Sequence, residues 1–142
     1  MAKIALVTGA SAGFGKAIAE QLIADGIKVI GAARRLDKLK AMETCLGTEN
    51  FYSLQMDVSD TKAIDKALAS LPSQWQDISI LVNNAGLALG LDKAHEADFA
   101  NWMTMINTNI VGLIYLTRQL LPNMVSKDDG IIINLGSTAG TI

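Results

Sequence analysis

The sequence predicts an α/β protein built on a doubly wound parallel sheet, and two observations support this fold class. Short apolar segments with β-branched residues alternate with longer segments in which apolar residues recur at helical spacing. The short segments are apolar at consecutive positions, as expected for strands that helices cover on both faces. We therefore expect one domain over residues 1–142, with strand order 3-2-1-4-5 and a sheet that stops after the fifth strand.

The predicted strands are short aliphatic and aromatic runs, bounded by polar or glycine-containing segments. They cover residues 3–7, 28–30, 51–56, 78–82 and 130–135. Three helices connect the first four strands. The first includes Phe14, the second covers residues 36–42, and the third runs from Thr61 to Leu71. Asp60 is the expected N-cap of the third helix.

The longest predicted helix runs from Asp98 to Met124. Its apolar stripe, at alternating spacings of four and three residues, consists of Trp102, Ile106, Asn109, Leu113, Leu116 and Leu120. The pattern therefore places the amide of Asn109 on the buried face. Because burying an amide without partners costs about 1–3 kcal/mol, we expect Asn109 to be hydrogen-bonded to backbone, water or a ligand. Taken alone, a satisfied core asparagine is the simplest interpretation.

Charge and composition narrow the expected partners. Twelve Lys and Arg residues stand against fourteen Asp and Glu residues without a like-charge block, so neither nucleic acid nor an anionic membrane is an expected partner. Cys45 is the single cysteine and His95 the single histidine, so we expect no internal disulfide and no metal site. The N-terminus runs into a strand without a signal-peptide pattern, which favours a reducing, cytoplasmic setting.

A glycine-rich turn joins the first strand to the first helix, with Gly9, Gly13 and Gly15 in it. Without side chains there, backbone N–H groups can approach a pyrophosphate, and the helix N-terminus adds about half a positive charge. A strand-to-helix corner that binds nothing can have the same composition. The binding interpretation gains support because the turn opens a βαβ unit of about thirty residues.

Two arginines, Arg34 and Arg35, follow the second strand, where the dinucleotide fingerprint places a contact to the adenine ribose. An acidic residue there would accept from the ribose 2′-hydroxyl of NAD, whereas guanidinium groups suit the 2′-phosphate of NADP. A solvated basic pair at a helix start is the alternative, although its charge opposes the helix dipole. The sequence therefore predicts NADP rather than NAD.

Five motifs extend this pattern along the chain. In order, they are Thr8-Gly9-Ala10-Ser11-Ala12-Gly13-Phe14-Gly15, Asp57-Val58, Asn83-Asn84-Ala85-Gly86, Asn109 with Gly112, and Gly136-Ser137-Thr138-Ala139-Gly140. In order and spacing they resemble the N-terminal half of the short-chain dehydrogenase/reductase family, and the resemblance covers the whole chain. The stretch from Ala69 to Gly90 is similar to the NADP-dependent 3-hydroxy acid dehydrogenases of that family, which also oxidise serine and allo-threonine.

The resemblance implies a Rossmann-type dinucleotide site with several parts. The residues implied to line the pyrophosphate are Gly9, Ser11, Gly13, Phe14 and Gly15. Arg34 and Arg35 are implied to hold the 2′-phosphate. The residues implied to border the adenine or the ribose are Asp57, Val58, Asn84, Ala85 and Gly86.

For catalysis, the resemblance implies that Ser137 hydrogen-bonds the substrate oxygen and that Asn109 holds a water of a proton relay. In this family the proton for the developing alkoxide comes from a tyrosine whose pKa is lowered by a lysine four residues later. Neither Tyr52 nor Tyr115 is followed by lysine at that spacing. We expect the missing pair to lie beyond Ile142 and the 142-residue chain alone to be inactive.

The fifth predicted strand supports the expectation of a longer protein. Its three isoleucines, at residues 131–133, make it apolar on both faces like a central strand, yet the predicted order puts it at an edge. We therefore expect the chain to be the cofactor-binding part of a longer enzyme. The resemblance further implies a homo-oligomer, in which the helix from Asp98 to Met124 packs against its counterpart in a second copy.

Three functions stay open on these grounds. The first is a NADP-dependent oxidoreductase that transfers hydride to or from a small hydroxy acid, alcohol or carbonyl substrate. The second is a non-catalytic NADP(H)-binding module, which senses the dinucleotide or supports a partner chain. The third is an inert remnant that folds but binds nothing.

Overall fold

The computed structural model describes residues 2–141 and contains a five-stranded parallel sheet. Its strands are β1 Ile4–Thr8, β2 Lys28–Ala33, β3 Phe51–Gln55, β4 Ile78–Asn83 and β5 Ile131–Asn134. The strand order is β3-β2-β1-β4-β5, and all neighbours are parallel. The predicted fold class and strand order are confirmed.

Helices alternate with the strands, as the sequence predicts. Within the described residues they are α1 Gly13–Ala24, α2 Leu36–Leu46, α3 Thr61–Ala69, α4 Phe99–Ile106 and α5 Gly112–Ser126. A short 3-10 turn at Ser73–Trp75 precedes β4, and another at Thr138–Thr141 follows β5. No helix in this part of the chain is long and apolar enough to cross a membrane.

The core has two layers, one on each face of the sheet. Ile4 and Leu6 of β1 belong to a buried cluster that includes residues of α3 and α5. Ala5 and Val7 point the other way, into a cluster with residues of α1 and α2. Helices therefore cover both faces of the central strand, which explains why β1 is apolar at every one of these positions.

The third helix has the predicted start but ends earlier than expected. Asp60 accepts from the N–H groups of Lys62 and Ala63, so the predicted N-cap is confirmed. The helix ends at Ala69 rather than Leu71, because the Ser70 hydroxyl donates to a carbonyl oxygen of the last turn at 2.6 Å.

The helix predicted from Asp98 to Met124 is divided in the structure. Asp98 accepts from the N–H of Ala100 and caps α4. A π-helical segment, Asn107–Val111, then leads into α5, which continues to Ser126. A π turn contains more residues than an α turn, so it changes which side chains face the core.

The predicted apolar stripe is accordingly wrong in its first half. Trp102 and Ile106 are exposed. The residues that face the core are Thr108, Gly112, Leu116, Leu120 and Met124. Gly112 is required there, because a Cβ would overlap the carbonyl oxygen of Val58. The long helix can therefore approach the loop after β3 closely.

The last strand lies at the sheet edge, as predicted. Its three isoleucines, Ile131, Ile132 and Ile133, are between 36% and 50% exposed, although they alternate between the two faces. Both faces of this strand are therefore incompletely covered, unlike those of β1.

The second helix is tied to the outer strand β3 by a carboxylate. It continues to Leu46 rather than residue 42, and Glu43 lies in this extension. Glu43 accepts from Ser53 Oγ at 2.7 Å and from Lys40 Nζ at 2.8 Å, and its side chain is only 13% exposed. Burial raises the pKa of Glu43, but the hydrogen bonds from Lys40 and Ser53 outweigh burial and hold the pKa below its ordinary value.

We expect Glu43→Gln to lower the free energy of unfolding by about 1–2 kcal/mol at neutral pH, because the carboxylate charge that strengthens the hydrogen bonds from Lys40 and Ser53 is lost. Since the folded-state pKa is lowered, the contribution of Glu43 is present above the unfolded pKa and is lost as pH falls through the folded value. The difference between the two proteins in urea unfolding should therefore shrink as pH falls below 4.5.

The matched control is Glu20→Gln, which changes an exposed carboxylate 3.9 Å from Lys16 and should alter stability little. A stability difference for Glu43→Gln that stays constant from neutral to acid pH would contradict this interpretation.

Candidate functional site

A cleft of ≈ 260 Å³ lies at the carboxyl ends of four parallel strands. It follows the sheet across β4, β1, β2 and β3, where open α/β sheets bind ligands. Its lining residues come from the loops after these strands and from the long helix, and they are Gly9, Ser11, Ala32, Ala33, Arg34, Arg35, Met56, Asp57, Val58, Ser59, Ala85, Gly86, Leu87, Thr104 and Thr108.

Eight of the predicted site residues line this cleft: Gly9, Ser11, Arg34, Arg35, Asp57, Val58, Ala85 and Gly86. The other six lie outside its lining: Gly13, Phe14, Gly15, Asn84, Asn109 and Ser137. Of this second group, Asn84 and Asn109 support segments that do line the cleft. Phe14 is 80% exposed in the first turn of α1.

The three glycines of the first turn are required for different structural reasons. A Cβ on Gly15 would overlap the carbonyl oxygen of Gly9, so Gly15 permits α1 to pack against the turn. Gly9 has a φ of +62°, and a Cβ there would lie 2.9 Å from Asn84 Nδ2. Gly13 has a φ of +56° with no atom within 4 Å of an added Cβ, so its backbone borders open space.

A hydrogen-bond cluster joins the ends of β1 and β4. The buried Thr8 hydroxyl donates to Val82 O at 3.4 Å and accepts from the N–H groups of Asn84 and Ala85 at 3.0 and 2.9 Å. Asn84 Nδ2 donates to the carbonyl oxygens of Thr8 and Gly9 at 3.0 and 3.3 Å. The Asn84 side chain therefore supports the turn. Sequence reasoning missed the part played by Thr8, whose signal is a polar residue at the end of an apolar strand.

The two helices that begin beside the cleft lack side-chain caps. α1 starts after Ala12 and α2 after Arg35, and neither residue caps its helix with a side chain. By contrast, Asp60 and Asp98 cap α3 and α4. The first turn of α1 contains no acidic residue, so its N–H groups favour an anion, whereas α2 has Asp37 in its first turn, paired with Arg35.

Both predicted arginines line the cleft. Arg35 is paired with Asp37 across 3.4 Å, with side chains 64% and 70% exposed. An exposed pair of this kind contributes at most about 1 kcal/mol. The Arg35 guanidinium can therefore exchange this partner for a more strongly charged ligand.

The loop after β3 forms another wall of the cleft. One carboxylate oxygen of Asp57 accepts from the N–H and the hydroxyl of Ser59, at 3.0 and 2.7 Å, which fixes the loop locally. Sequence reasoning missed Met56, Ser59, Thr104 and Thr108 as lining residues. The two threonines lie one helical turn apart, so a polar pair at this spacing in an apolar helix is the signal that could have identified them.

Asn109 is exposed, so its predicted burial is wrong, because the π-helical segment turns it away from the core. The expectation that its amide has partners is confirmed. Asn109 Oδ1 accepts from Leu87 N–H at 2.9 Å, and Nδ2 donates to Leu87 O at 2.8 Å. The side chain thus pairs with the backbone of the loop that follows Gly86.

Ser137 lies between β5 and the 3-10 turn that follows it. Its exposed Oγ accepts from the N–H of Ala139 at 3.1 Å. This contact uses the oxygen as an acceptor and leaves the hydroxyl proton able to donate.

Tyr115 is a poor proton donor in this structure. Its hydroxyl donates to Asp65 at 2.7 Å, and this hydrogen bond to a carboxylate raises the pKa of Tyr115. A tyrosine acid for carbonyl reduction needs a lowered pKa instead. Among the described residues, no group of three or more His, Cys, Asp or Glu side chains is arranged to hold a metal ion.

Comparison with known proteins identifies relatives of this arrangement. The family model for short chain dehydrogenases matches residues 3–142. An NADP-dependent 3-hydroxy acid dehydrogenase from Salmonella typhi is 55% identical over 138 residues, which are 97% of this chain and 55% of the relative. A probable NADP-dependent dehydrogenase from Haemophilus influenzae is 56% identical over 96% of this chain and 54% of its own length.

A solved structure, the closed form of serine dehydrogenase complexed with NADP+, matches with a TM-score of 0.94 at 52% identity. The match covers 98% of this chain and 56% of that chain. The chain thus spans about half the length of the curated relatives it matches. The resemblance inferred from the motifs is confirmed, and the chain belongs to the short-chain dehydrogenase family.

Proposed function

We propose that this chain binds NADP in the cleft, as part of an oxidoreductase that acts on small hydroxy acids. The observation that carries the proposal is a single cleft with a glycine turn, an arginine pair and two helix N-termini without side-chain caps. Each of these features favours an anion, and NADP is anionic at its pyrophosphate and its 2′-phosphate. The names of the relatives support the same ligand.

The lining of the cleft fits the parts of this dinucleotide. The residues that would hold or shape the pyrophosphate site are Gly9, Ser11, Gly13, Phe14 and Gly15. Arg34 and Arg35 would hold the 2′-phosphate. The walls beside the adenine and the ribose would be formed by Asp57, Val58, Ala85 and Gly86, with Asn84 supporting them. When bound, NADP would supply or accept the hydride of the reaction.

Two polar side chains outside the lining would serve the substrate end. We propose that the Ser137 hydroxyl donates to the substrate oxygen, since its present contact to Ala139 uses it as an acceptor. For Asn109 we propose that it holds a water of the proton relay, since its bonds to Leu87 fix the amide and leave one N–H and one acceptor site of the side chain available. The hydroxy-acid substrate class follows from the names of the relatives.

A non-catalytic NADP(H)-binding module is the second candidate. It is favoured by Tyr115, whose hydroxyl donates to Asp65 and whose pKa is raised by that hydrogen bond. Both candidates predict dinucleotide binding, and they differ only in turnover. An inert remnant would predict neither.

The double variant Arg34→Ala/Arg35→Ala should weaken NADPH binding by about 10- to 100-fold, because charge-assisted hydrogen bonds to the 2′-phosphate are lost. NADH lacks that phosphate, so its dissociation constant should change by less than about threefold. Titration calorimetry would measure both constants. Lys38→Ala, at an exposed basic residue of α2 outside the cleft lining, is the control. Equal losses for the two dinucleotides would argue against phosphate recognition by these arginines.

We predict that residues 1–142 alone do not turn over substrate. Mixed with NADP and either serine or 3-hydroxypropionate, the purified chain should bind the dinucleotide but form no NADPH, because the lysine-activated tyrosine is absent. The absorbance of the reduced nicotinamide would report the reaction. Turnover by the chain, lost in Ser137→Ala, would show that another group accepts the proton from the substrate hydroxyl and would contradict the prediction.

We further propose that a second copy packs on an apolar face of the long helix. Its exposed residues are Phe99, Ile106, Ile110 and Ile114, at spacings close to whole helical turns. The double variant Ile110→Arg/Ile114→Arg should shift the chain from oligomer to monomer in analytical ultracentrifugation. Leu91→Arg, at a fully exposed loop residue, should leave the assembly unchanged. A monomeric unmodified chain would overturn this part of the proposal.

A further inference from the structure

The turn that carries the two cleft arginines is very short. β2 ends at Ala33 and α2 begins at Leu36, so Arg34 and Arg35 alone connect them. The N–H of Met56 donates to Ala33 O at 3.0 Å and joins the end of β2 to the residue after β3. Beyond this bond the two segments separate, because the first continues into α2 and the second continues into the loop at Asp57.

Gln55 extends the connection with its side chain. It is the last residue of β3, paired with Ala33 in the sheet, and its Nε2 donates to the carbonyl oxygen of Arg34 at 3.1 Å. Gln55 and Arg34 also line a second groove of ≈ 470 Å³, which adjoins the cleft through the shared residues Arg34, Met56 and Asp57. The backbone of Arg34 is therefore fixed to the neighbouring strand at the junction of two concave surfaces.

The two arginines differ in their partners. Of the pair, only Arg35 forms an ion pair with a carboxylate among the described residues, at 3.4 Å to Asp37. The Arg34 carbonyl oxygen is held by the Gln55 side chain, that of Arg35 accepts from Leu39 N–H within α2, and the Arg34 guanidinium forms no ion pair with an acidic side chain among the described residues. Arg34 is thus the better prepared of the two for an incoming phosphate.

We propose that Gln55 is a positioning residue for NADP selectivity, which holds the Arg34 backbone so that the guanidinium stays beside the cleft. The inference rests on the proposed NADP site. An arginine side chain loses rotamer freedom when it binds a phosphate, and a fixed backbone limits the additional freedom that must be lost. Without the Gln55 amide, the two-residue turn would sample positions from which the guanidinium does not reach the phosphate.

The test is Gln55→Met, which keeps the length of the side chain and removes the N–H donor. We expect the dissociation constant for NADPH to rise by about 3- to 10-fold, because the Arg34 guanidinium would no longer be held where it reaches the 2′-phosphate. The dissociation constant for NADH and the midpoint of thermal unfolding should both stay unchanged. These two readouts separate positioning from a general structural role.

The chain offers a matched control in Gln76→Met. Gln76 Nε2 donates to the carbonyl oxygen of Leu71 at 2.9 Å, so the same type of bond is removed outside the cleft lining. This variant should bind both dinucleotides like the unmodified chain.

The outcomes distinguish this inference from the proposed function. An unmodified chain that binds NADPH no more tightly than NADH would overturn both. A normal preference for NADPH that Gln55→Met retains in full would overturn the role of Gln55 and leave the NADP site standing. Equal weakening of both dinucleotides, or a lowered unfolding midpoint with an unchanged preference, would show a merely structural role for Gln55 and overturn the inference.

Discussion

The structure depends on the close approach of the ends of β1 and β4. The Thr8 hydroxyl accepts from two successive N–H groups, those of Asn84 and Ala85, and the Asn84 amide returns two hydrogen bonds to the carbonyl oxygens of the first turn. No Cβ fits at Gly15, because α1 begins against that same turn. Buried polar groups are costly when unpaired, so these contacts hold as a set. The first turn, α1 and the loop after β4 therefore form one unit, which fixes two sides of the cleft.

The charge distribution along the cleft depends on which helices begin with an acidic N-cap residue. Carboxylates begin α3 and α4, but the helices that start beside the cleft have no side-chain cap, and α2 follows two arginines. Cations at a helix N-terminus oppose its dipole, and Asp37 in the first turn of α2 offsets this through an exposed pair with Arg35 only. A bound polyanion would offset the remaining positive charge. The cleft that we propose as the dinucleotide site therefore has a charge distribution suited to a polyanion.

The long helix forms the wall of the cleft that contains Thr104 and Thr108, and a π-helical segment interrupts its α geometry there. Its π-helical segment changes the side of the helix that faces the core, so Thr108 faces inward while Asn109 reaches the Leu87 backbone. Gly112 then allows the helix to pass close to Val58. The same departure leaves an apolar face exposed on α4 and the π segment. One irregular turn thus supports both the cleft wall and the surface on which we propose that a second copy packs.

The sequence by itself determined the α/β class, the strand order, the Asp60 cap and eight residues of the cleft, because each depends on local periodicity, capping chemistry or motif spacing. It did not determine the burial of Asn109, since a 3.6-residue period carried through the helix misses a π turn. The tertiary structure alone showed that the Thr8 hydroxyl bonds to the segment after β4 and that the Gln55 amide bonds to the Arg34 carbonyl oxygen. Their hydrogen bonds join segments that are neighbours in the sheet but 77 and 21 residues apart in sequence, and no local pattern records which backbone group a side chain reaches after the sheet has assembled.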